Sequence, residues 1–497
     1  MSAHIGNLTF LKAIYLENNF FHGAITPEVG RLFRLQHFSL HTNSFQGEFP
    51  ANLTHCLDIR VINMSENNFV GKIPSELGSL SNLLELDLTF NHFSGNIPPS
   101  LGNLSYLQKI LLRRNSLEGS IPSELGQLSN LEYLQLSSNN LSGLVPTSLY
   151  NNSSMIYFVV TNNQLHGSLS PNLGLSLPKL QIFLFAVNNF SGPIPSSLAN
   201  ASGFVHFDIT KNSFTGSVPM NLGNLGDLEK LNIGGNELGS NKTDDLSFLD
   251  PLTNCSNLMV LNFHRNLFGG VVPNSIGNMS TKLISISMQG NYTYGSIPQV
   301  FVNLISLEDL ALNENMFTGS IPESIGRLSN LQQLSIYTNS ISGQIPSSIG
   351  NLSLFIILEF EDNMLEGSIP VSLGYCKNSL KLDLSSNHLT GAIPDQVLAL
   401  SSITLGLFLG DNRLTGPLSP QVGNLKNIGR LDLSNNKLSG EIPSTLGNCL
   451  VLEFLSLKGN FFEGTVPPSF KQLRGLQVLD LSRNNLSGQI PSFIGEL

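Results

Sequence analysis

LQQLSIYTNSISGQIPSSIGNL, residues 331–352, is one copy of a pattern that runs through almost the whole chain. As a template it reads L-x-x-L-x-L-x-x-N-x-(L/F/I)-x-G-x-I-P-x-x-(L/I)-G-x-L. Its asparagine, Asn339, recurs in twenty copies from Asn19 to Asn484, and of the nineteen gaps fifteen are 24 residues, three are 25 and one is 30. Spacing this regular predicts stacked repeats, each of which has meaning only against its neighbours.

Within the copy, Leu331, Leu334 and Ile336 alternate with Gln333, Ser335 and Tyr337. Period two predicts a short strand with one buried face and one exposed face. Asn339 follows where the chain must turn. Its amide carries donors and an acceptor, so a column of such side chains can satisfy backbone groups that strand pairing leaves open. Ile341, Ile345, Ile349 and Leu352 fill the interior, Gly343 and Gly350 allow tight turning, and Pro346 fixes the return path.

The template resembles the plant extracellular leucine-rich repeat, whose mark is the I-P of G-x-I-P, and the resemblance covers nearly everything from Ala3 to Leu497. The phrases AHIGNLTFLK, LGSNKTDDLSFLDPLTNCSNL and GSIPESIGRLSNLQQL narrow the match. They resemble the ectodomains of plant receptor-like serine/threonine kinases of the flagellin, bacterial elongation-factor and rice blight-resistance receptor group. The resemblance implies an α/β-type repeat solenoid of about 20 repeats: a curved, twisted plant-type leucine-rich-repeat superhelix with a parallel concave β-sheet. It also implies a peptide or protein ligand, a microbial pattern before a developmental hormone, and a shorter leucine-rich-repeat co-receptor kinase near the C-terminal repeats. The parent would be a single-pass membrane protein with this part outside the plasma membrane and a kinase outside these residues. The alternative is a stand-alone leucine-rich-repeat protein or enzyme inhibitor that binds a microbial protein; such arrays are shorter.

The net charge is −10 and only 12% of residues are charged, which argues against a nucleic-acid or anionic-membrane partner. Cys56, Cys255, Cys376 and Cys449 each lie eleven residues before a repeat asparagine, where other copies carry leucine. They read as buried free thiols, too far apart for a disulfide. Glycosylation sequons support secretion. Asn7, Asn103, Asn151, Asn200, Asn254 and Asn351 share the phase twelve before the repeat asparagine, on the outer return path. Asn291 is itself a repeat asparagine and is expected buried and unmodified.

We read residues 1–497 as one repeat solenoid. Residues 1–10 form a partial repeat, 11–238 and 258–497 are repeats, and 239–257 carry the insertion behind the gap of 30. The insertion, with Asp244, Asp245 and Asp250, reads as a solvated loop leaving the repeat edge, since no calcium-loop spacing is present. The final FIGEL stops inside a repeat and no 18-residue apolar run occurs. The chain therefore reads as the repeat core of a longer protein, or as a truncated gene product, and is not itself membrane-spanning.

No phosphate loop, G-x-S-x-G or H-E-x-x-H motif is present, so no catalytic residues, cofactor or metal site are assigned. The variable concave positions are left as a binding surface. Most are Ser, Thr, Asn or Asp. One run differs: Lys109, Arg113, Arg114, Tyr133, Gln135, Tyr157, Val159, Ile182, Leu184, Val187, His206, Asp208 and Lys211. Aromatic and aliphatic groups rimmed by charge have the composition of a binding hot spot. β-Propensity alone would also place Tyr, Val and Ile on strands. A second, acidic candidate comprises Glu308, Glu314, Tyr337, Glu359, Glu361 and Asp362.

Overall fold

Each repeat opens with a three-residue strand whose central side chain is buried, save in the last, Val478–Asp480, where Leu479 is half-buried. In Tyr133–Gln135 the buried residue is Leu134, with Tyr133 and Gln135 half-buried on the other side. The computed structural model describes residues 1–492 and Gly495, so FIGEL lies almost wholly outside the described residues. The chain forms two units, Met1–Gly239 and Ser240–Leu497.

In the first unit ten strands, from Ala13–Tyr15 to Lys230–Asn232, pair in parallel one repeat apart. Leu134 faces Ile110 on one side and Phe158 on the other, so the alternation holds from rung to rung. In the second unit ten strands from Val260–Asn262 to Val478–Asp480 pair in the same way. Each unit has a second sheet of short strands on its return path, from His22–Gly23 to Glu237–Leu238 and from Gly269–Val271 to Asn485–Leu486. Between the sheets most returns close with a 3-10 turn such as Ser123–Gln127, preceded by Pro122 at φ −63°, ψ 135°.

The repeat asparagine does what its position predicts. Asn67 donates from Nδ2 to the carbonyls of Leu40 (3.0 Å), Met64 (3.3 Å) and Ser65 (3.0 Å), and its Oδ1 accepts from Phe45 N–H (2.9 Å). One buried amide thus ties two rungs together and satisfies four backbone groups. The residue before it adopts the left-handed conformation in most copies, Arg114 at φ 51° and Thr338 at φ 49° among them. The two template glycines serve different ends. Gly343 sits at φ +75°, whereas a Cβ on Gly350 would lie 2.3 Å from the Ser372 carbonyl oxygen of the next rung.

The interior is Leu, Ile and Phe. In the first unit the buried Phe45, Phe69 and Phe93 stack at 6.4 and 6.2 Å between centroids, and the exposed Phe21 closes the column 6.2 Å from Phe45. All four cysteines are free and buried, as their leucine phase predicts. Cys56, Cys376 and Cys449 direct their thiols at carbonyls of the preceding rung.

The insertion corrects the sequence reading. It does not leave the edge as a solvated loop. The turn Asp245–Phe248 and the short helix Leu249–Leu252 bury Leu246, Phe248, Leu249 and Leu252. Phe248 packs on Phe263 and Phe268 at 5.6 and 5.4 Å. Asp245 fixes the entry by accepting from the backbone N–H groups of Ser240 (3.0 Å), Lys242 (2.9 Å) and Gly269 (3.0 Å). Burial pushes this carboxyl up, but those amides outweigh it and hold it below the usual range. The apolar residues between the aspartates, not the aspartates themselves, decide the structure.

Candidate functional site

The side of each strand stack away from the core carries the candidate residues. In the first unit strand register brings most of the first set together. Tyr133 and Tyr157 are neighbours, with ring centroids 6.0 Å apart. Ile182 follows Tyr157 and His206 follows Ile182 in the same row. Gln135, Val159, Leu184 and Asp208 form the adjacent row.

Charge frames this surface. Lys109 Nζ lies 2.9 Å from Glu85 Oε2 and 5.7 Å from the Tyr133 centroid. The Glu85 hydrogen bond raises the Lys109 ammonium above its ordinary value. His206 Nε2 lies 3.3 Å from Glu229 Oε2. Asp208 accepts from Thr210 N–H at 2.9 Å and from Asn232 Nδ2 at 3.4 Å. Gln135 Nε2 donates to Tyr157 Oη at 3.4 Å, so the two rows are joined.

Three expectations need adjustment. Val159 is only 2% exposed, because Gln135 and Leu184 flank it in the row; it supports the surface from below. Ser335, expected exposed, is likewise 2% exposed. Arg113 and Arg114 do not join the strand rows. They lie past the strand end with their guanidinium carbons 5.2 and 4.9 Å from the Phe90 centroid. Lys211 and Val187 occupy left-handed turn positions in the same way. Glu85, Phe90, Glu229 and Asn232 were missed. Glu85 and Lys230 share the phase of Lys109, Tyr133 and Tyr157, so writing the copies in columns would have found the row.

The acidic candidate, in the second unit, forms separate hydrogen-bonded groups. Tyr337 Oη donates to Glu314 Oε1 (3.2 Å), and Ser335 Oγ donates to Glu359 Oε2 (2.7 Å). Lys381, unnoticed in the sequence, bridges Glu359 (2.8 Å) and Asp383 (3.6 Å). Burial pushes the Tyr337 phenol up to about 12, with Glu314 adding to it. Burial, then the Asp383 charge, pushes the Glu361 carboxyl up to about 7.

The six outer-path sequon asparagines, Asn7, Asn103, Asn151, Asn200, Asn254 and Asn351, are all exposed. Asn291 is 6% exposed and its Nδ2 donates to Phe263, Met288 and Gln289 carbonyls. Among the described residues no helix is long and apolar enough to cross a membrane.

A family model described as Leucine Rich Repeat matches residues 58–80, 82–104, 106–128, 130–152, 257–279, 306–328, 330–352, 427–449, 451–473 and 475–497. The chain is 42% identical over 90 residues to the receptor kinase-like protein Xa21 of Oryza sativa subsp. japonica, which is 18% of this chain and 9% of that protein. It is 41% identical over 82 residues to the LRR receptor-like serine/threonine-protein kinase EFR of Arabidopsis thaliana, 16% of this chain and 8% of that one. The aligned stretches are thus a small part of both kinases. Among solved structures, the Arabidopsis receptor kinase HAESA, in complex with the peptide hormone IDA and the co-receptor SERK1, is similar at TM-score 0.85 and 32% identity. That match covers 99% of this chain and 85% of that one. A PEPR1–AtPEP1 structure matches at TM-score 0.82 and 30% identity, covering 100% and 75%.

Proposed function

The chain belongs to the leucine-rich-repeat ectodomains of plant receptor kinases, and from that premise we propose that it is the part of a cell-surface receptor that recognises a peptide or protein fragment. The observation that carries this reading is the row Tyr133, Tyr157, Ile182, held rigidly by parallel pairing and framed by Lys109–Glu85 and His206–Glu229. Preorganised aromatic and aliphatic groups lose little entropy on binding, and a charged rim orients the partner. An extended ligand would cross many rungs and gain affinity from many modest contacts.

In this reading the residues described do no chemistry. A transmembrane span and a serine/threonine kinase belong to the parent protein, and a shorter leucine-rich-repeat co-receptor completes the signalling complex. A microbial pattern is the ligand class this reading prefers, on the resemblance of the sequence, and a peptide hormone, as in the HAESA complex, is the second. The test is a binding screen of the secreted 497-residue chain against microbial and endogenous peptides. Tyr157→Ala with Ile182→Asp should weaken the hit at least about tenfold, the loss of one hot-spot contact, with an unchanged melting curve. Unaltered affinity in a folded double variant refutes the surface.

A further inference from the structure

We propose that the surface just past the strand ends of the second unit, at the phase Arg113 occupies in the first, holds an arginine side chain of a cationic peptide, the guanidinium resting on Tyr337 between Glu314 and Glu361, with the Asn313 amide as a further hydrogen-bond partner. The inference rests on the reading of the chain as a recognition module but uses a different surface from the Tyr133–Tyr157 row.

The position two before the repeat asparagine carries Asn313, Tyr337 and Glu361 on three consecutive rungs. The rungs are locked side by side, with Glu314 N–H donating to the Tyr337 carbonyl (2.9 Å) and Thr338 N–H to the Glu361 carbonyl (3.1 Å). The Tyr337 phenol feels Glu314, Glu359 and Glu361 together, yet one hydroxyl hydrogen serves only one of them, Glu314. The ammonium that faces them, Lys381, is already engaged by Glu359 and Asp383. Negative charge in this row is therefore undercompensated.

Polar groups without partners concentrate in the same place. Asn313 is 0% exposed and neither its Nδ2 nor its Oδ1 has a hydrogen-bond partner. Glu361 Oε2 is buried and unpartnered as well. Elsewhere in the fold an inward amide such as Asn291 is fully engaged. An unpaired amide on one side of Tyr337 and an unpaired carboxylate oxygen on the other suit a ligand bearing several N–H donors.

The layout favours a planar cation over a metal ion. Among the described residues no group of three acidic, His or Cys side chains is placed to hold a metal. Glu314 and Glu361 lie on rungs either side of Tyr337, and rungs are spaced by about 4.8 Å. A guanidinium has a flat face for the phenol and a fork of donors that reaches carboxylates on both sides. An ammonium is a point charge and satisfies fewer of these groups.

Protonation follows from the same neighbours. Glu361, two residues past the strand that ends at Glu359, faces Glu359 on its own rung, Asp383 and Lys381 on the next, and Tyr337 with Glu314 on the preceding rungs. Burial and the Asp383 and Glu359 charges favour its neutral form, against Lys381. An arriving cation favours the charged form, so binding releases a proton and weakens as the pH falls.

The test is calorimetric titration of the full chain with capped hexa-arginine, and separately hexalysine, at about 0.15 M salt, an ionic strength at which surface charge is largely screened. The expected result is saturable one-to-one binding of hexa-arginine, tighter than hexalysine. Glu361→Gln and Glu314→Gln should each weaken it about fivefold, with wild-type affinity falling between pH 8 and pH 5.5 and Glu361→Gln nearly flat, because the loss of one charge-assisted contact is at stake. Glu366→Gln and Glu463→Gln, exposed on the return-path strands, should change nothing, and thermal melts should show every variant folded. Equal losses in the two control variants, displacement by millimolar calcium, or indifference to Glu361→Gln would overturn the proposal. Tyr157→Ala with Ile182→Asp should leave hexa-arginine binding intact; a loss there also overturns it. Failure of the peptide screen on the first surface leaves this result standing and defeats only the earlier reading.

Discussion

Replacing Asn67 by alanine should weaken the third rung more than any surface substitution. The side chain is 6% exposed. Its two amide hydrogens are shared among the Leu40, Met64 and Ser65 carbonyls, and its oxygen accepts from Phe45 N–H. Alanine removes three hydrogen bonds' worth of donation and acceptance, at about 1 kcal/mol each, and strands a buried N–H at a further ~1 kcal/mol, so about 3–4 kcal/mol is expected. In a stacked array that loss is local before it is global, because each rung contacts only its neighbours. Amide exchange at Phe45 should therefore accelerate by roughly 100-fold or more at about 1.4 kcal/mol per decade, with distant rungs unchanged. Asn19 supplies the internal control. It is exposed and reaches only the Leu16 and Glu17 carbonyls of its own rung, so Asn19→Ala should cost less than about 1 kcal/mol. Asn67→Asp keeps the shape but turns a carboxylate toward three carbonyl oxygens, which raises its folded-state pKa. The protonated form's contribution is then complete below the unfolded value and lost as the pH rises through the folded one. This variant should be worse than alanine at pH 7 and recover toward pH 4. Equal effects for Asn67→Ala and Asn19→Ala, or an aspartate variant indifferent to pH, would refute the idea that the amide column links the rungs.

Asp245→Ala should speed amide exchange at Ser240, Lys242 and Gly269 while sparing the strands of the first unit. Because the Asp245 carboxyl is held below its usual range, its contribution is present above the unfolded pKa and fades as the pH falls through the folded one; protection independent of pH would refute this. The four thiols should resist a disulfide reagent at pH 8, since burial pushes Cys56, Cys255 and Cys376 up to about 11 and Cys449 up to about 12. All four should react on denaturation, and prompt labelling of the native chain would contradict their burial. Peptide mapping of chain secreted from plant cells should find glycans among Asn7, Asn103, Asn151, Asn200, Asn254 and Asn351 and none on Asn291, whose amide is already committed. Modified Asn291 would contradict the ladder.

The rungs, the amide column and the leucine-like cysteines were all legible in the sequence, because each depends on identity at a fixed phase. What was not legible depends on neighbours across rungs. Val159 occupies an outward phase, yet Gln135 and Leu184 close over it. Lys381 looks like one lysine on a strand until register sets it against Glu359. Arg114 and Lys211 sit one residue before the ladder asparagine, where a left-handed backbone carries their side chains off the strand row. A reading by columns recovers the first two; the third needs the turn's backbone conformation.

The irregular gaps carry information of their own. Strands must keep register with the rungs on both sides, so an extra residue cannot enter there without turning core side chains outward. The return path has no such constraint, and two of the three 25-residue gaps find their extra residue there. Between Asn387 and Asn412 the core spacing is regular through Val397, Leu400 and Ile403, and the extra residue bulges at the strand entry, where the N–H groups of Thr404, Leu405 and Gly406 all face the Leu380 carbonyl. Between Asn163 and Asn188 the usual 3-10 turn gives way to the helical turn Leu173–Ser176. An α turn holds 3.6 residues where a 3-10 turn holds 3.0, so it takes up length over the same span. Between Asn266 and Asn291 the 3-10 turn Asn274–Asn278 remains, and the excess follows it at Met279, extended at ψ 174°. The gap of 30 extends the same solution, with a 3-10 turn running into the helix Leu249–Leu252. Length variation thus falls on the return path, apart from the one residue accommodated at the entry of the strand Gly406–Phe408, where Leu407 and Leu409 still reach the core.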